Sequence, residues 1–357
     1  MSAKFGFGVK EDGKGILHIM ESDVAKGDDI RLLYTRRPDA YASLMEESSK
    51  TVIGIFKDDD QIVGTVTGIP HTMWINGVKK TVCYVTGMKR LGSYPGKINW
   101  IEAFQKMYDP LDSDIYYCSI VKENTDVMKM LKKVRKKLPF SVGMDFYRTY
   151  IISPTAPAKN PCPELSFIRA GSDDEAAILA FLKKYGQCKN FFPDISSFEE
   201  ENVPNLEDFY LLKEGEEIKA VGALWDRSHS KQYVVKQYSG RIKLLRILNP
   251  VISKIGYIKL PKEDTEVKFA FLSFFLAEDE KADYYRSFLY HVRKEIKKKY
   301  EMYVVGTNEH NAKRGVLDEV RSIKFDTELC EVLMTNFRGV ERVDMDYHNL
   351  EVECALL

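Results

Sequence analysis

A pattern that occurs twice constrains this chain more than any other feature. Residues 53–65 read as an apolar strand, a charged turn at Lys57-Asp58-Asp59-Asp60 and a returning strand. Residues 210–221 repeat that order around Lys213-Glu214-Gly215-Glu216. Farther on, Tyr116 to Asn124 leads into a Lys-rich helical run and Pro139-Phe140, while Met302 to Asn308 with Asn311 leads into a helical run ending near Ile323-Lys324-Phe325. Repetition on this scale predicts a repeated architecture. The fold class is therefore mixed α/β, with two tandem domains, each a central mixed sheet flanked by helices. The boundaries fall at 1–153 and 165–357, around a connector at 154–164 whose prolines restrict φ. Two domains of this kind explain 357 residues better than one continuous sheet.

The offsets between the copies are unequal. Ile62 pairs with Ile218, a displacement of 156, and Asn124 with Asn311, a displacement of 187. The excess places an insertion between hairpin and central strand, near 228–264. There Ile242, Leu245, Leu248, Val251 and Ile252 recur at helical spacing, interrupted by Pro250. An apolar stripe predicts at least one covered face, over a groove or against the first domain, with an ordinary surface excursion as the plainer reading.

Within the first copy, Asn76-Gly77 suits the two positive-φ positions of a type I′ turn. The return strand, Val78 to Met88, runs into Leu91-Gly92-Ser93-Tyr94-Pro95-Gly96-Lys97, and a helix follows from near Ile98. Such a connection is either an ordinary β-to-α turn or an anion cradle, because helix N-terminal amides attract phosphate oxygens. Around these segments, Ile16 to Ile19 reads as a short strand and Ile30, Leu33 and Tyr34 as a helix, with Tyr41 to Met45 as a second short helix. A helix is expected over about 125–137, and a strand from Tyr147 to Ile152. A second central strand lies near Val267 to Leu276, a helix follows through Tyr284 and Ile296, and strands close the chain at 328–333 and 350–357. In the last of these, Leu350, Val352, Cys354 and Leu356 share a face.

On the hairpin, central strand and loop, the chain resembles the GNAT N-acyltransferase superfamily. Tyr94, Gly96 and Lys97 match the Tyr, first Gly and second basic position of that family's Y-R-G-R-G-x-G pyrophosphate loop; Pro95 replaces the first basic residue, and Ile98 and Trp100 stand at the later glycines. The loop is thus degenerate. The resemblance implies an acyl-CoA-dependent N-acyltransferase, using acetyl-CoA or another acyl-CoA as cosubstrate and a small-molecule or peptide amine as acceptor. It implies that backbone around Tyr84, Thr86 and Met88 positions or polarises the thioester, that Gly96, Lys97 and Ile98 contact pyrophosphate, and that Asn124 orients the cofactor or loop. His71, Tyr117 or Cys118 handles protons or binds the acceptor if it faces the cleft. Each has a plainer reading: Asn124 as a helix cap, His71 as a structural histidine, Cys118 as a core thiol. The matching loop of the second copy, Glu278-Asp279-Glu280, is acidic and lacks glycine, so a CoA site belongs to the first. Two degenerate loops equally suit a noncatalytic tandem module that binds a ligand or protein.

Composition removes other classes. Lys+Arg 53 balances Asp+Glu 53, which argues against a nucleic-acid partner. The six cysteines show no CxxC or regular spacing, no HExxH places histidines for a metal, and neither a Walker loop nor a serine elbow occurs. No metal is expected. No apolar run is long enough for a bilayer, and the first residues lack a signal-peptide core, so the expectation is a cytoplasmic protein with no membrane partner.

Overall fold

Turns with left-handed backbone set the hairpins of this molecule. Asn76 and Gly77 have φ of 51° and 75°, and Gly215 has 58° between the strands of the second hairpin. A computed structural model describes residues 3–22, 25–26, 30–122, 124–125, 128–129, 140–333 and 342–357. Most of the helix expected over 125–137 lies outside these residues, as do Leu138 and Pro139.

The strands are β1 (Lys4–Phe7), β2 (Ala25–Lys26), β3 (Ile30–Thr35), β4 (Val52–Asp58), β5 (Gln61–Ile75), β6 (Val78–Arg90), β7 (Ile115–Val121) and β8 (Phe140–Ile152). They continue with β9 (Ser166–Arg169), β10 (Phe192–Pro193), β11 (Phe209–Glu214), β12 (Glu217–Trp225), β13 (Gln232–Tyr238), β14 (Phe269–Ala277), β15 (Met302–Asn308) and β16 (Ser322–Leu333). The helices are α1 (Gly13–Glu21), α2 (Ala40–Met45), α3 (Trp100–Leu111), α4 (Glu175–Gly186), α5 (Gly240–Ile252), α6 (Ala282–Lys299) and α7 (Lys313–Glu319).

The main sheet runs β1-β4-β5-β6-β7-β16-β8-β15-β14-β12-β11-β9, with β10 added along β5. Neighbours are antiparallel except for β6 with β7 and β14 with β15. A single sheet thus replaces the expected two. Its continuity comes from two long strands that cross over: β16 pairs with β7, and β8 pairs with β15. β8 and β16 then pair with each other from Ser322↔Ile152 to Leu333↔Phe140.

Alternating side chains of this sheet face different cores. Ile69, Met73, Val82, Tyr84 and Tyr117 point to one. Val66, Cys83, Tyr116 and Cys118 point to another, with Ile16 and Ile19 of α1 and Phe104 and Met107 of α3. Around α6, Phe288, Leu289, Val292 and Ile296 pack with Tyr303 and Val305.

Two early elements differ from expectation. Ile16 to Ile19 lies in a helix, where Ile16 and Ile19 are buried one turn apart. Residues 30–35 form a strand because β13, from the insertion, pairs with them in a separate β13-β3-β2 sheet. α2 forms as expected, with the Asp39 carboxylate accepting from Ala42 N–H at 3.1 Å.

Candidate functional site

The parallel pairs of the sheet both part company partway along. β6 and β7 pair only from Val82↔Ile115 to Tyr84↔Tyr117, and β14 and β15 only from Phe269↔Met302 to Phe271↔Val304. Beyond those points each central strand carries a bulge. Thr67 pairs with Thr86 and Thr65 with Lys89, so Gly87 and Met88 together face Val66; Gly87 has φ of 63°. Ala223 pairs with Ser273 and Val221 with Leu276, so Phe274 and Phe275 face Gly222; Phe274 has φ of 50°.

The gap beside β14 is filled by the chain itself. Phe274 N–H donates to Glu353 Oε2 at 2.7 Å, Val352 N–H donates to Asn308 Oδ1 at 3.1 Å, and Tyr147 OH donates to Val352 O at 3.1 Å. Glu351 accepts from Asn311 and pairs with Lys313. Residues 350–356 are all buried, so the expected one-faced strand is replaced by a plug held by side-chain and backbone hydrogen bonds. The acidic loop nearby is matched by lysines, Glu278 with Lys219 at 3.3 Å and Glu280 with Lys189 at 2.7 Å.

The gap beside β6 is different. Among the described residues no strand pairs with its β7-facing edge beyond Tyr84, and Gly87 is exposed. Tyr84 OH lies 2.6 Å from Ser119 Oγ across the gap. Tyr117 is buried against Tyr84 and Phe191, ring centroids 5.1 Å away in each case, and its hydroxyl has no hydrogen-bond partner among the described residues. Thr86 is half-buried on the Tyr84 side, and Met88 packs against the opposite core. Asn124 is exposed at the end of β7, its N–H donating to Val121 O at 2.9 Å and its carbonyl accepting from Met128 N–H at 3.1 Å.

In the following loop, a Cβ on Gly96 would come within 2.3 Å of Tyr94 Oη, which explains glycine there. Lys97 is exposed. Ile98 packs over Gly64, where a Cβ would meet Ile98 Cδ1 at 2.5 Å, so α3 begins two residues later than expected, at Trp100. The first turn of α3 carries Glu102.

A cavity of about 240 Å³ opens beside His71 and also touches Phe274 and Leu356 of the second gap; Tyr84, Thr86, Gly87 and Tyr117 do not line it. His71, Thr72, Glu47, Lys50, Asp194 and Glu201 are among its lining residues. His71 is half-buried as a residue, but its Nε2 is sealed from solvent without a hydrogen-bond partner among the described residues. Burial, then the charges of Lys231 and Arg227 against the opposing pull of Glu47, pushes the imidazole down to about 4. At neutral pH it is therefore an uncharged acceptor.

Beneath it, Glu47 pairs with Arg36 at 2.7 Å, Arg227 at 3.0 Å and Lys231 at 3.2 Å, all buried. Burial alone would raise the Glu47 carboxyl, but Lys231, Arg227 and Arg36 hold it far below the ordinary range. Lys231 is pulled down by burial despite Glu47, and also donates to Ala355 O at 2.7 Å. Sequence inspection missed this network. Its members come from 36–47 and 227–231, share no spacing, and Glu47 resembles any other surface glutamate after a short helix.

Cys118 lies on the opposite face of β7 from Tyr117, in register with Cys330. Its hydrogen bond with Cys330, then burial, pushes the thiol well up. The structure thus groups His71, Tyr84 and Tyr117 on one face and leaves Cys118 apart. Elsewhere Asp145, Glu309 and His310 bring donor atoms within 4.8 Å of one another, but the Asp145 oxygens already accept Phe146 N–H at 2.8 Å and Glu309 N–H at 3.2 Å.

No protein-family model matches the sequence, and no curated protein sequence matches it. Solved structures do match in shape. Saccharomyces cerevisiae N-myristoyltransferase with bound myristoyl-CoA superposes at TM-score 0.57 with 10% identity, over 98% of this chain and 84% of that one. A second structure of that yeast enzyme gives 0.56 and 10%, over 98% and 89%. A GCN5-related N-acetyltransferase from Anabaena variabilis gives 0.51 and 8%, over 92% and 72%. At these identities the likeness defines a GNAT-like fold.

Proposed function

We propose that the protein is an acyl-CoA-dependent N-acyltransferase whose donor lies in the gap between β6 and β7. The observation that carries this reading is the exposed bulge at Gly87. At the corresponding bulge of the second gap, the Phe274 amide grips a carboxylate oxygen. A thioester carbonyl laid against the Gly87 amide is polarised by the same kind of donor, with its developing negative charge met by a fixed dipole. Lys97, at the end of the loop, serves the pyrophosphate with one positive charge and Gly96 with its backbone, its Cβ side being filled by Tyr94, and Asn124 borders the gap from β7. Ile98 serves the loop by packing, and Cys118 has no part.

The amine enters from the cavity beside His71, where Glu47 and Asp194 are already paired with cations and Glu200 and Glu201 outnumber Lys50 and favour a cation. After the ammonium gives one proton to solvent in the cavity, the free-base nitrogen attacks the thioester carbon, a C–N bond forms, the C–S bond breaks, and the thiolate leaves. His71, through Nδ1 and not the sealed Nε2, takes the proton from the strongly acidic ammonium of the tetrahedral intermediate, a donor that suits a weakly basic imidazole. Tyr117 holds Tyr84 in place.

We further read residues 1–153 and 165–357 as related domains joined at 154–164. The bulges at Gly87 and Phe274 are displaced by 187, the offset of Asn124 and Asn311, while the opposing Val66 and Gly222 are displaced by 156, the offset of the hairpins.

The test is calorimetry of the intact protein with acetyl-CoA, myristoyl-CoA and free CoA, followed by thiol release with a panel of small amines and peptides. Acyl-CoA binding is expected in the wild type. His71→Gln should retain that binding and lose at least about tenfold in turnover. Absence of binding by every acyl-CoA would reject the reading and favour the noncatalytic module.

A further inference from the structure

Independently of acyl transfer, the insertion presents an unusual surface. α5 is turned inside out relative to an ordinary surface helix: Asn249 is 5% exposed, whereas Leu244 is 70%, Ile247 77% and Val251 67% exposed. The reason is local. Asn249 donates to Ile258 O and accepts from Leu260 N–H, both at 2.8 Å, and so pins the returning chain beneath the helix. Ile242, Ile258 and Leu260 pack inward on the core. Of the stripe expected from the sequence to be covered, Ile242 packs inward and Ile252 is half-buried, whereas Leu245, Leu248 and Val251 face outward. At about 100° per residue, Leu244, Ile247, Leu248 and Val251 form one stripe, which exposed Ile255 and Tyr257 extend.

The segment that carries this stripe is basic, with Arg246 paired to Glu263 at 3.6 Å and Lys259 to Glu301 at 2.5 Å. Residues 239–262 contain six basic residues and no acidic one. Lys243, Lys254 and Lys262 are exposed and make no ion pair among the described residues. Arg321 joins them, its guanidinium donating to Ile255 O at 3.0 Å and lying 4.4 Å over the Tyr257 ring.

We propose that α5 and the turn through Tyr257 dock on the surface of an anionic lipid bilayer. The aliphatic stripe enters the boundary between headgroups and acyl chains, and the lysines meet lipid phosphates. A second copy of this chain is the poorer occupant, because a two-fold contact would press the same cations together. The helix has 13 residues and lies on the membrane instead of crossing it; no helix among the described residues is long and apolar enough to cross. The expectation of no membrane partner rested on spanning segments and a signal-peptide core, neither of which bears on a helix that lies on the surface.

Flotation of the full chain with vesicles of phosphatidylglycerol and phosphatidylcholine, and with phosphatidylcholine alone, tests this at low and high salt. The wild type should float with the anionic vesicles, weakly with the neutral ones, and less at high salt. The double variant Ile247→Gln with Leu248→Gln, and separately Lys243→Gln with Lys254→Gln, should each lower partitioning roughly tenfold. These side chains are exposed, so the thermal midpoint should stay unchanged. A wild type that ignores anionic vesicles overturns the proposal, as does a stripe variant that floats equally well. Sedimentation as a dimer that the stripe variant breaks, without vesicle binding, would assign the face to a second copy.

Discussion

Beside β6 the sheet opens at Tyr84 and Tyr117 next to an exposed Gly87, whereas beside β14 it opens at Phe271 and Val304 next to a fully buried Phe274, and residues 350–356 occupy the opening. The backbone departs from the ladder in the same way at both places. What differs is the side chain on the bulge and the company of its amide. Phe274 keeps a left-handed conformation that costs roughly 1–2 kcal/mol for a non-glycine residue, offset by its packing with Phe192, Phe209 and Trp225 and by the Glu353 carboxylate. Gly87 bears no such strain and no such cover. The same bulge is thus built into a plug in one place and left exposed in the other.

The largest test of that contrast is to disturb the plug. Glu351→Ala leaves buried Lys313 without its carboxylate and should cost about 3–5 kcal/mol in denaturant unfolding. Asn124→Ala, at the matching edge of the first gap, should cost under about 1 kcal/mol because the residue is exposed. Equal losses would erase the distinction between a filled and an accessible gap.

Acid should act on the two regions with opposite sign. The folded-state value of His71, about 4, lies below the ordinary 6.5. Between those values the unfolded chain binds a proton that the folded chain does not, so stability falls as pH drops through the window. The full effect is roughly 3 kcal/mol, absent in His71→Gln. Burial raises Glu353 above 4.5, so its contribution is present below that pH and is lost as pH rises through the raised value. Unfolding of wild type, His71→Gln and Glu353→Gln across pH 4–7 separates the two. A His71 variant with the wild-type pH slope would remove the histidine from the account.

A smaller effect is expected at the bulge itself. Space exists for a methyl on Gly87, whose Cβ would meet only Thr67 Oγ1, at 3.6 Å, but φ is unfavourable. Gly87→Ala should therefore cost about 1 kcal/mol and slow acyl transfer measurably by thiol release. Smallest of all, Lys97→Glu should leave unfolding unchanged and weaken CoA binding several-fold, about 1 kcal/mol, by calorimetry. Unaltered affinity would move the pyrophosphate away from this loop.

Legibility followed the range of the interactions involved. Asn76-Gly77 and the two charged hairpins are written in adjacent residues, and the offsets of 156 and 187 reappear in the observed registers. Residues 30–35 misled because their partner β13 is some 200 positions away, and a lone apolar run does not distinguish helix from strand. The alternation of 350–357 pointed to a strand, yet Glu351 and Glu353 are buried as plug residues. α5 was recognisable as a helix but not as one facing outward, since the decisive contact is a single buried Asn249. Among the candidate residues, His71, Tyr84 and Tyr117 share a face, but the ionic network beneath them was invisible because its parts meet only in three dimensions.

The crossing of β8 and β16 has a consequence for biosynthesis. β7 gains its second neighbour only when residues 327–331 arrive, so the early chain emerges with an unpaired strand edge. At about 5–20 residues per second, the delay between β8 and β16 is roughly ten to thirty seconds. During that interval the nascent protein resembles an open zipper, prone to joining another nascent copy through the same edge. Chaperone occupancy on the ribosome should peak in this window and fall once the β16 segment clears the exit tunnel.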